Sequence, residues 1–273
     1  STIKDAALND AILTHSAESD NSSYIVDTTP PTVSSVAITN VVGAQNSFVN
    51  ADDVVEVKVT FSESPISAVI VDNTSAATLT LKVGNDNRTA TYDSGSGTVV
   101  TSVGSDNASL VFRYTIKATN TSGENDDDGI SIPENALNFN IITIRDAAGN
   151  IATDLTHDAV PDNSSVKVDT IPPAVDNFTM SDTELKIGDN ATVDLVFSEP
   201  ICAVSSDCVI VFPTNRISHP SGNLSTMSSS QANDNKTIWT GTFTPTANTE
   251  DATNTLLLSN YTDLAGNNGP DNQ

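Results

Sequence analysis

Apolar and polar residues alternate over long stretches of this chain. Val55, Val57, Val59 and Phe61 are separated by Glu56, Lys58 and Thr60, and Leu110, Phe112, Tyr114 and Ile116 repeat the pattern further on. A period of two places one residue set on one face of a strand, so each run predicts a β-strand with one buried face. Two such sheets packed face to face make a sandwich. Further strands are expected over 33–38 and 137–144, and at Val166 and Val168. A second set starts afresh with Val193, Leu195 and Phe197, continues through Trp239 and Phe243, and ends over 256–261, with Trp239 reading as core. Turn-forming stretches, Asn85-Asp86-Asn87 and 93–97, punctuate the strands.

The chain also repeats at a longer period. DAAGN at 146–150, with DNSSVKVDTIPPAV at 162–175, is echoed by DAALN at 5–9 with DNSSYIVDTTPPTV at 20–33, and by DLAGN at 263–267. Such repetition marks an array of one β-module, and arrays serve as structure or as ligand-presenting stalks more often than as enzymes. The expected division is a leading segment, 1–26, shaped like the end of a preceding module, then modules 27–168 and 169–273. Each module is long enough to bury its own core.

Composition narrows the partners. The net charge of −24 is spread along the chain, which disfavours phosphate backbones and anionic lipid and favours cations. The same charge would also keep an extracellular protein soluble. No stretch resembles a membrane span or a signal peptide, so no membrane insertion is expected. A first residue of Ser rather than Met suits a mature protein or an excised piece. Cys202 and Cys208 are the only cysteines, six positions apart and without the further His or Cys of a zinc site. They read as a loop-stapling disulfide or as two structural thiols; the disulfide would imply an oxidising, extracytoplasmic location.

The strand order in both modules is immunoglobulin-like. The run LKIGDNATVDLVFSEPI at 185–201, with WTGTFTPTANTEDATNTLLL at 239–258 and DLAGN, resembles the bacterial Ig-like domains of giant surface adhesins and other prokaryotic cell-surface proteins. The first module resembles them more loosely, through VDTTPP, VKVTFSESPI and DAAGN. The resemblance implies tandem Ig-like sandwiches at the cell surface, used as spacers, adhesive tips or surface-layer units.

In that topology three acidic motifs meet at one pole of each module. Asp27, Glu63 and Asp146 should converge on the first, and Asp169, Glu199 and Asp263 on the second. The acidic run containing Asp126, Asp127 and Asp128 should face the second cluster across the junction. Calcium takes roughly six to eight oxygen ligands, several of them carboxylate, so each cluster is a candidate calcium site. The family resemblance adds that such adhesins often carry calcium at these junctions. The alternative is that these residues merely close turns. Thr29-Pro30-Pro31 and Ile171-Pro172-Pro173 should stiffen both links.

No catalytic constellation emerges. His15, His157 and His219 are isolated, and the single Asp93-Ser94-Gly95 triplet reads as a turn. Glycosylation sequons stand at Asn21, Asn73, Asn87, Asn107, Asn120, Asn163, Asn177, Asn190, Asn223, Asn235 and Asn260, expected on exposed turns and used only if the source organism glycosylates its surface proteins. The second module lacks a counterpart of strand 164–168, whereas the leading segment holds such a strand at 21–26 without a module. A fragment of a longer array would look like this, and so would a polymer subunit whose leading strand completes the next copy. The reading is therefore a non-enzymatic extracellular protein, rigidified by calcium, within an adhesin stalk, surface layer or filament. Its partners would be neighbouring modules or copies of itself head to tail. The alternative is a module binding carbohydrate or a receptor, for which a host or surface glycan would be the ligand.

Overall fold

The computed structural model describes residues 3–21, 23–63, 67–70, 77–92, 108–118, 124–139, 142–202, 211–212, 214–229, 237–253 and 255–271. Among them the fold is all-β, with one 3-10 turn at Thr214–Arg216. The first module begins with β1 (Val33–Val42), β2 (Phe48–Val49), β3 (Val54–Phe61), β4 (Ser67–Ile70), β5 (Thr78–Val83) and β6 (Asp86–Tyr92). It continues through β7 (Ser109–Thr115), β8 (Asn125–Asp126), β9 (Leu137–Asn138), β10 (Ile142–Arg145) and β11 (Lys167–Asp169). The second module opens with β12 (Val175–Met180), β13 (Ala191–Phe197), β14 (Ile201–Cys202), β15 (Val211–Phe212) and β16 (Ile217–Ser218). It ends with β17 (Gly222–Leu224), β18 (Met227–Ser228), β19 (Ile238–Pro245), β20 (Leu257–Leu258) and β21 (Thr262–Asp263).

The alternating run of β3 lies between β1 and β7, antiparallel to both. Val57 sits opposite Phe112 and Val59 opposite Leu110, and all four side chains are buried. In the second module β13 lies likewise between β12 and β19, with Leu195 opposite Trp239 and Ala191 opposite Phe243. Trp239 is fully buried, packed on Phe212 at 5.6 Å between ring centroids. The two cores share no buried residue, so each module buries its own apolar face.

Several boundaries differ from the sequence pattern. β1 extends to Val42, beyond the expected 38. The expected strand 137–144 is two strands on different partners, β9 on β5 and β10 on β4. In the second module β20 pairs with β16, and β21, just past the expected 256–261, pairs with β14. The chain crosses from one sheet to another in both places, which a single period-two run does not reveal. Asn85-Asp86-Asn87 is only partly a turn: the hairpin turns at Gly84-Asn85, and Asp86 and Asn87 belong to β6. Gly84 has φ +56°, the backbone that a two-residue hairpin turn demands.

The final strand of the first module carries the most consequence. β11 inserts between β2, which runs parallel to it, and β8, which runs antiparallel. Val168 is fully buried opposite Val49 and Asp126. By contrast, every described residue from 3 to 26 is exposed and joins neither core. No described helix is long and apolar enough to cross a membrane.

Candidate cation site

Each acidic cluster is assembled by the same short-range chemistry. At the first, the Ser62 N–H donates to Thr32 O (2.9 Å) and the Ser62 hydroxyl accepts from Thr32 N–H (3.0 Å), tying the end of β3 to the approach to β1. At the second, Ser198 makes the same pair of bonds with Ala174, both at 2.9 Å. These serines fix where Glu63 and Glu199, the next residues, emerge. Asp27 accepts from Thr29 N–H and Asp169 from Ile171 N–H, each at 3.0 Å, turning the chain before the prolines.

The third carboxylate comes from the D-x-x-G-N loop. Asp146 Oδ1 accepts the N–H groups of Gly149 and Asn150, and Oδ2 accepts the Asn150 side-chain amide at 2.8 Å. Asp263 receives the Asn267 N–H at 2.9 Å and its amide at 2.7 Å. Gly149 and Gly266 hold φ near +95° and +93°, a left-handed backbone that favours glycine. The same amides also latch the preceding linker: Asn150 Nδ2 donates to Asp27 O at 3.1 Å and Asn267 Nδ2 to Asp169 O at 3.0 Å. The two serines and two asparagines sat inside repeated F-S-E and D-x-x-G-N motifs, so the repetition was their signal.

The structure therefore brings together Asp27, Glu63 and Asp146, and separately Asp169, Glu199 and Asp263, with one oxygen of each residue within 4.8 Å of the others in its group. Such crowding penalises ionisation. Burial, then the charges of Asp169 and Asp263 and a contact with Asp169, push the Glu199 carboxyl up to about 8. Asp263 rises to about 6, chiefly through burial. Asp169 is also raised by burial, and Asp127 adds to the effect. In the first cluster Glu63 is raised by burial, then by Asp27 and Asp146. Burial pushes Asp146 up too, but the hydrogen bonds from Asn150, Gly149 and Ala148 outweigh it and hold it below the usual range.

The acidic run reaches the junction only in part. It lies beside Asp169 because β8 pairs with β11, placing Asn125 opposite Asp169. Asp127 is close enough to raise Asp169. Asp126, expected there as a ligand, is instead turned inward, accepting from Gly84 N–H at 2.7 Å and Gly129 N–H at 2.8 Å. Asp128 lies in side-chain contact with Asp126. Glu124, at the head of the same run, is a buried acceptor for Arg88, the Tyr114 hydroxyl and Lys117 N–H.

The junction is closed by direct contacts between the modules. Asn46 Nδ2 donates to Leu264 O and Asn50 Nδ2 to Ala265 O, both at 2.9 Å, and Gly266 lies against the Gln45 side chain. The first module thus grips the loop that presents Asp263. Asp169 belongs to both modules, as the last residue of β11 and a member of the second cluster.

A family model for the bacterial Ig-like domain matches residues 169–273. The second module is Ig-like. The first builds the same serine tie, proline turn and D-x-x-G-N loop. Among solved structures, that of FdeC, an Escherichia coli adhesin, aligns with 89 % of this chain and 61 % of its own, at 9 % identity and a TM-score of 0.29. The chain thus covers less than two thirds of that protein's length. A search of curated proteins returns no match.

Other sequence candidates are placed as follows. The Cys202 side chain, Cys208 and the Asp93-Ser94-Gly95 triplet lie outside the described residues, as do Asn73, Asn107, Asn120 and Asn235. Asn87, Asn177 and Asn223 are exposed on strands rather than on turns. Asn21 precedes the first strand, and Asn163, Asn190 and Asn260 lie between strands. His157 has a packing role: its Nε2 accepts from Ala136 N–H at 2.9 Å.

Proposed function

We propose that this chain is a structural segment of an extracellular, cell-surface protein, a series of Ig-like modules whose junctions are rigidified by calcium. The observation that carries the proposal is the Asp169–Glu199–Asp263 cluster at the point where the modules meet. Asp169 ends the last strand of one module, and Asp263 sits on the loop held by Asn46 and Asn50 of that same module. A cation held by these three carboxylates would connect the linker, the end of β13 and the Ig-like loop. The donor set fits a hard cation, being all carboxylate, crowded, and raised in proton affinity where nothing offsets its charge. Asp127 would add charge from the first module.

A stalk, a surface layer and a filament all need modules that resist bending at their junctions. In the glycan-binding alternative an aromatic platform would meet the sugar, but Trp239 is fully buried and serves the core. The test is to titrate calcium into chelated protein while following thermal unfolding and small-angle scattering. Calcium should raise the melting temperature, because a ligand bound only by the folded state stabilises it, and should narrow the distribution of maximum dimensions. Unchanged melting and scattering across the titration would refute the reading.

A further inference from the structure

The first module meets the second through a hairpin whose backbone is strained. Gln45 and Phe48 exchange both backbone hydrogen bonds at 2.7 Å, leaving Asn46 and Ser47 as a two-residue turn. Both take left-handed backbone, at φ +50° and +68°. A turn of this hand accepts asparagine readily at its first position but ordinarily takes glycine at its second, so Ser47 is strained. Such strain persists only where the surroundings enforce it, and it collects at functional contacts. Here Ser47 O accepts Lys167 N–H at 3.0 Å and the following β2 runs parallel to β11, which pins the hairpin to the strand that leads into the linker. Asn46 stands before β2 and Asn50 directly after it.

Both amides end on main-chain atoms of the second module, Asn46 Nδ2 on Leu264 O and Asn50 Nδ2 on Ala265 O. Beside them Gly266 lies under the Gln45 amide, where a Cβ would stand 2.5 Å from Nε2. What these groups read is the backbone path of the loop, which Asp263, Gly266 and Asn267 set through their own hydrogen bonds and left-handed turn. The loop at 146–150 follows the same path with Ala147 in the place of Leu264. Alanine recurs at the third position, and there size matters: Ala265 is 1 % exposed yet belongs to neither core, so the junction itself covers it. Nor does the turn after β2 demand an asparagine. Asn50 N–H donates to the Asp53 carboxylate and Asp53 N–H returns to Asn50 O; Lys186 and Asp189 build the same turn in the second module without an amide.

Resting on the modular structural reading above, we propose that Gln45, Asn46 and Asn50 form a receptor for the D-x-A-G-N loop of the adjoining Ig-like module, a latch that sets the angle between modules before any cation binds. The partner it fits is an Ig-like module presenting that loop. Its second residue is free to vary, because only the carbonyl is bonded; its third must be small; and its fourth must be glycine, to hold the left-handed turn and to pass under Gln45. Modules joined by a small polar contact ordinarily move against each other, so the latch gives the junction an orientation that its area alone would not. A cation at Asp169, Glu199 and Asp263 would then secure an angle that the amides have already chosen.

Residual dipolar couplings of the 273-residue chain, measured by NMR in chelator, test this. Two modules held at a fixed angle share one alignment tensor, and two that swing need separate ones. The unaltered chain should fit a single tensor. Asn46→Ala with Asn50→Ala should lose it, as should Ala265→Leu, which leaves every hydrogen-bonding group in place but pushes the loop off the hairpin. Leu264→Ala, which turns the loop into the DAAGN of the first module, should keep it. In every variant the couplings within each module should still fit that module alone, which shows that it is folded. Separate tensors for the unaltered chain or for Leu264→Ala, or a shared tensor in either of the other variants, would overturn the proposal. Every arm is read without a cation, so failure here is distinguishable from failure of the calcium reading, which rests on its own titration.

Discussion

The Asn267 side-chain amide donates to Asp169 O at 3.0 Å while also holding the Asp263 carboxylate at 2.7 Å. One side chain thus orders two of the three acidic groups at the junction, and it does so by bridging the linker to the loop. Asn150 repeats the arrangement between Asp27 and Asp146. The carboxylates that would meet a cation are thereby held close before any cation arrives, which lowers the ordering cost of binding.

Replacing this bridge should cost both stability and cation affinity. Asn267→Ala leaves a part-buried carboxylate short of a donor, a loss of about 1–3 kcal/mol. Denaturant unfolding should show that decrease in chelator and a larger one in calcium, since the cluster would have to be ordered at the expense of binding. An equal decrease in both conditions would show that the amide serves only the loop.

The pH dependence follows from Glu199. Its ordinary value is 4.5 and its folded value is about 8, so between those limits folded protein without a cation keeps a proton that the unfolded chain has released. Stability of the chelated protein should therefore fall as pH rises from 4.5 to about 8, with Asp263 contributing in the same direction up to about 6. A bound cation displaces those protons, so the gain in melting temperature from calcium should grow over the same range. Calorimetry in calcium and in chelator from pH 5 to 8 checks both slopes, and Glu199→Gln should flatten them.

The sandwich and the two clusters were legible because each rests on local pattern. Val55 to Phe61 declared a central strand by strict alternation, and VDT, F-S-E and D-x-x-G-N recur in equivalent places, so topology alone could bring Asp169, Glu199 and Asp263 together. The hairpin of β5 and β6 was not legible as strands: Asn85-Asp86-Asn87 read as a turn, and pairing of Asp86 and Asn87 with Val83 and Lys82 of β5 overrides that preference. The acidic run misled for a different reason. Glu124 and Asp126 look solvated by composition, yet Arg88, Tyr114 and the Gly84 and Gly129 amides are brought to them from distant parts of the chain. Charge in a sequence does not state which way a side chain faces.

Glu124 should accordingly behave as a stability residue. Its carboxylate is buried and serves Arg88, Tyr114 and Lys117 N–H together. Glu124→Ala strands those donors and should destabilise the first module by about 3 kcal/mol. The calcium-dependent part of the melting shift, which reports the junction, should be retained. Loss of that shift in a folded variant would place Glu124 at the cation site after all.

The leading segment offers a test of the D-x-x-G-N loop in isolation. Asp5 accepts the Ala7 and Asn9 N–H groups at 2.9 Å each and the Asn9 amide at 3.0 Å, reproducing the loop of the two modules without either core behind it. One position departs: Leu8 stands where Gly149 and Gly266 stand, and it is held at φ +64°. A side chain in that left-handed region costs roughly 1 kcal/mol that glycine avoids. Leu8→Gly should therefore populate the loop more fully, and because Leu8 is exposed it removes no core packing. The Asn9 amide, bonded to Asp5, reports the change directly. Its hydrogen exchange should slow by about fivefold in Leu8→Gly if the strain is relieved, and Asp5→Ala should abolish the protection in both backgrounds. Exchange of Asn9 that is equally fast in all of these chains would mean that the loop needs a module body behind it, and that the hydrogen bonds of Asp146 and Asp263 are consequences of packing rather than of the five-residue sequence.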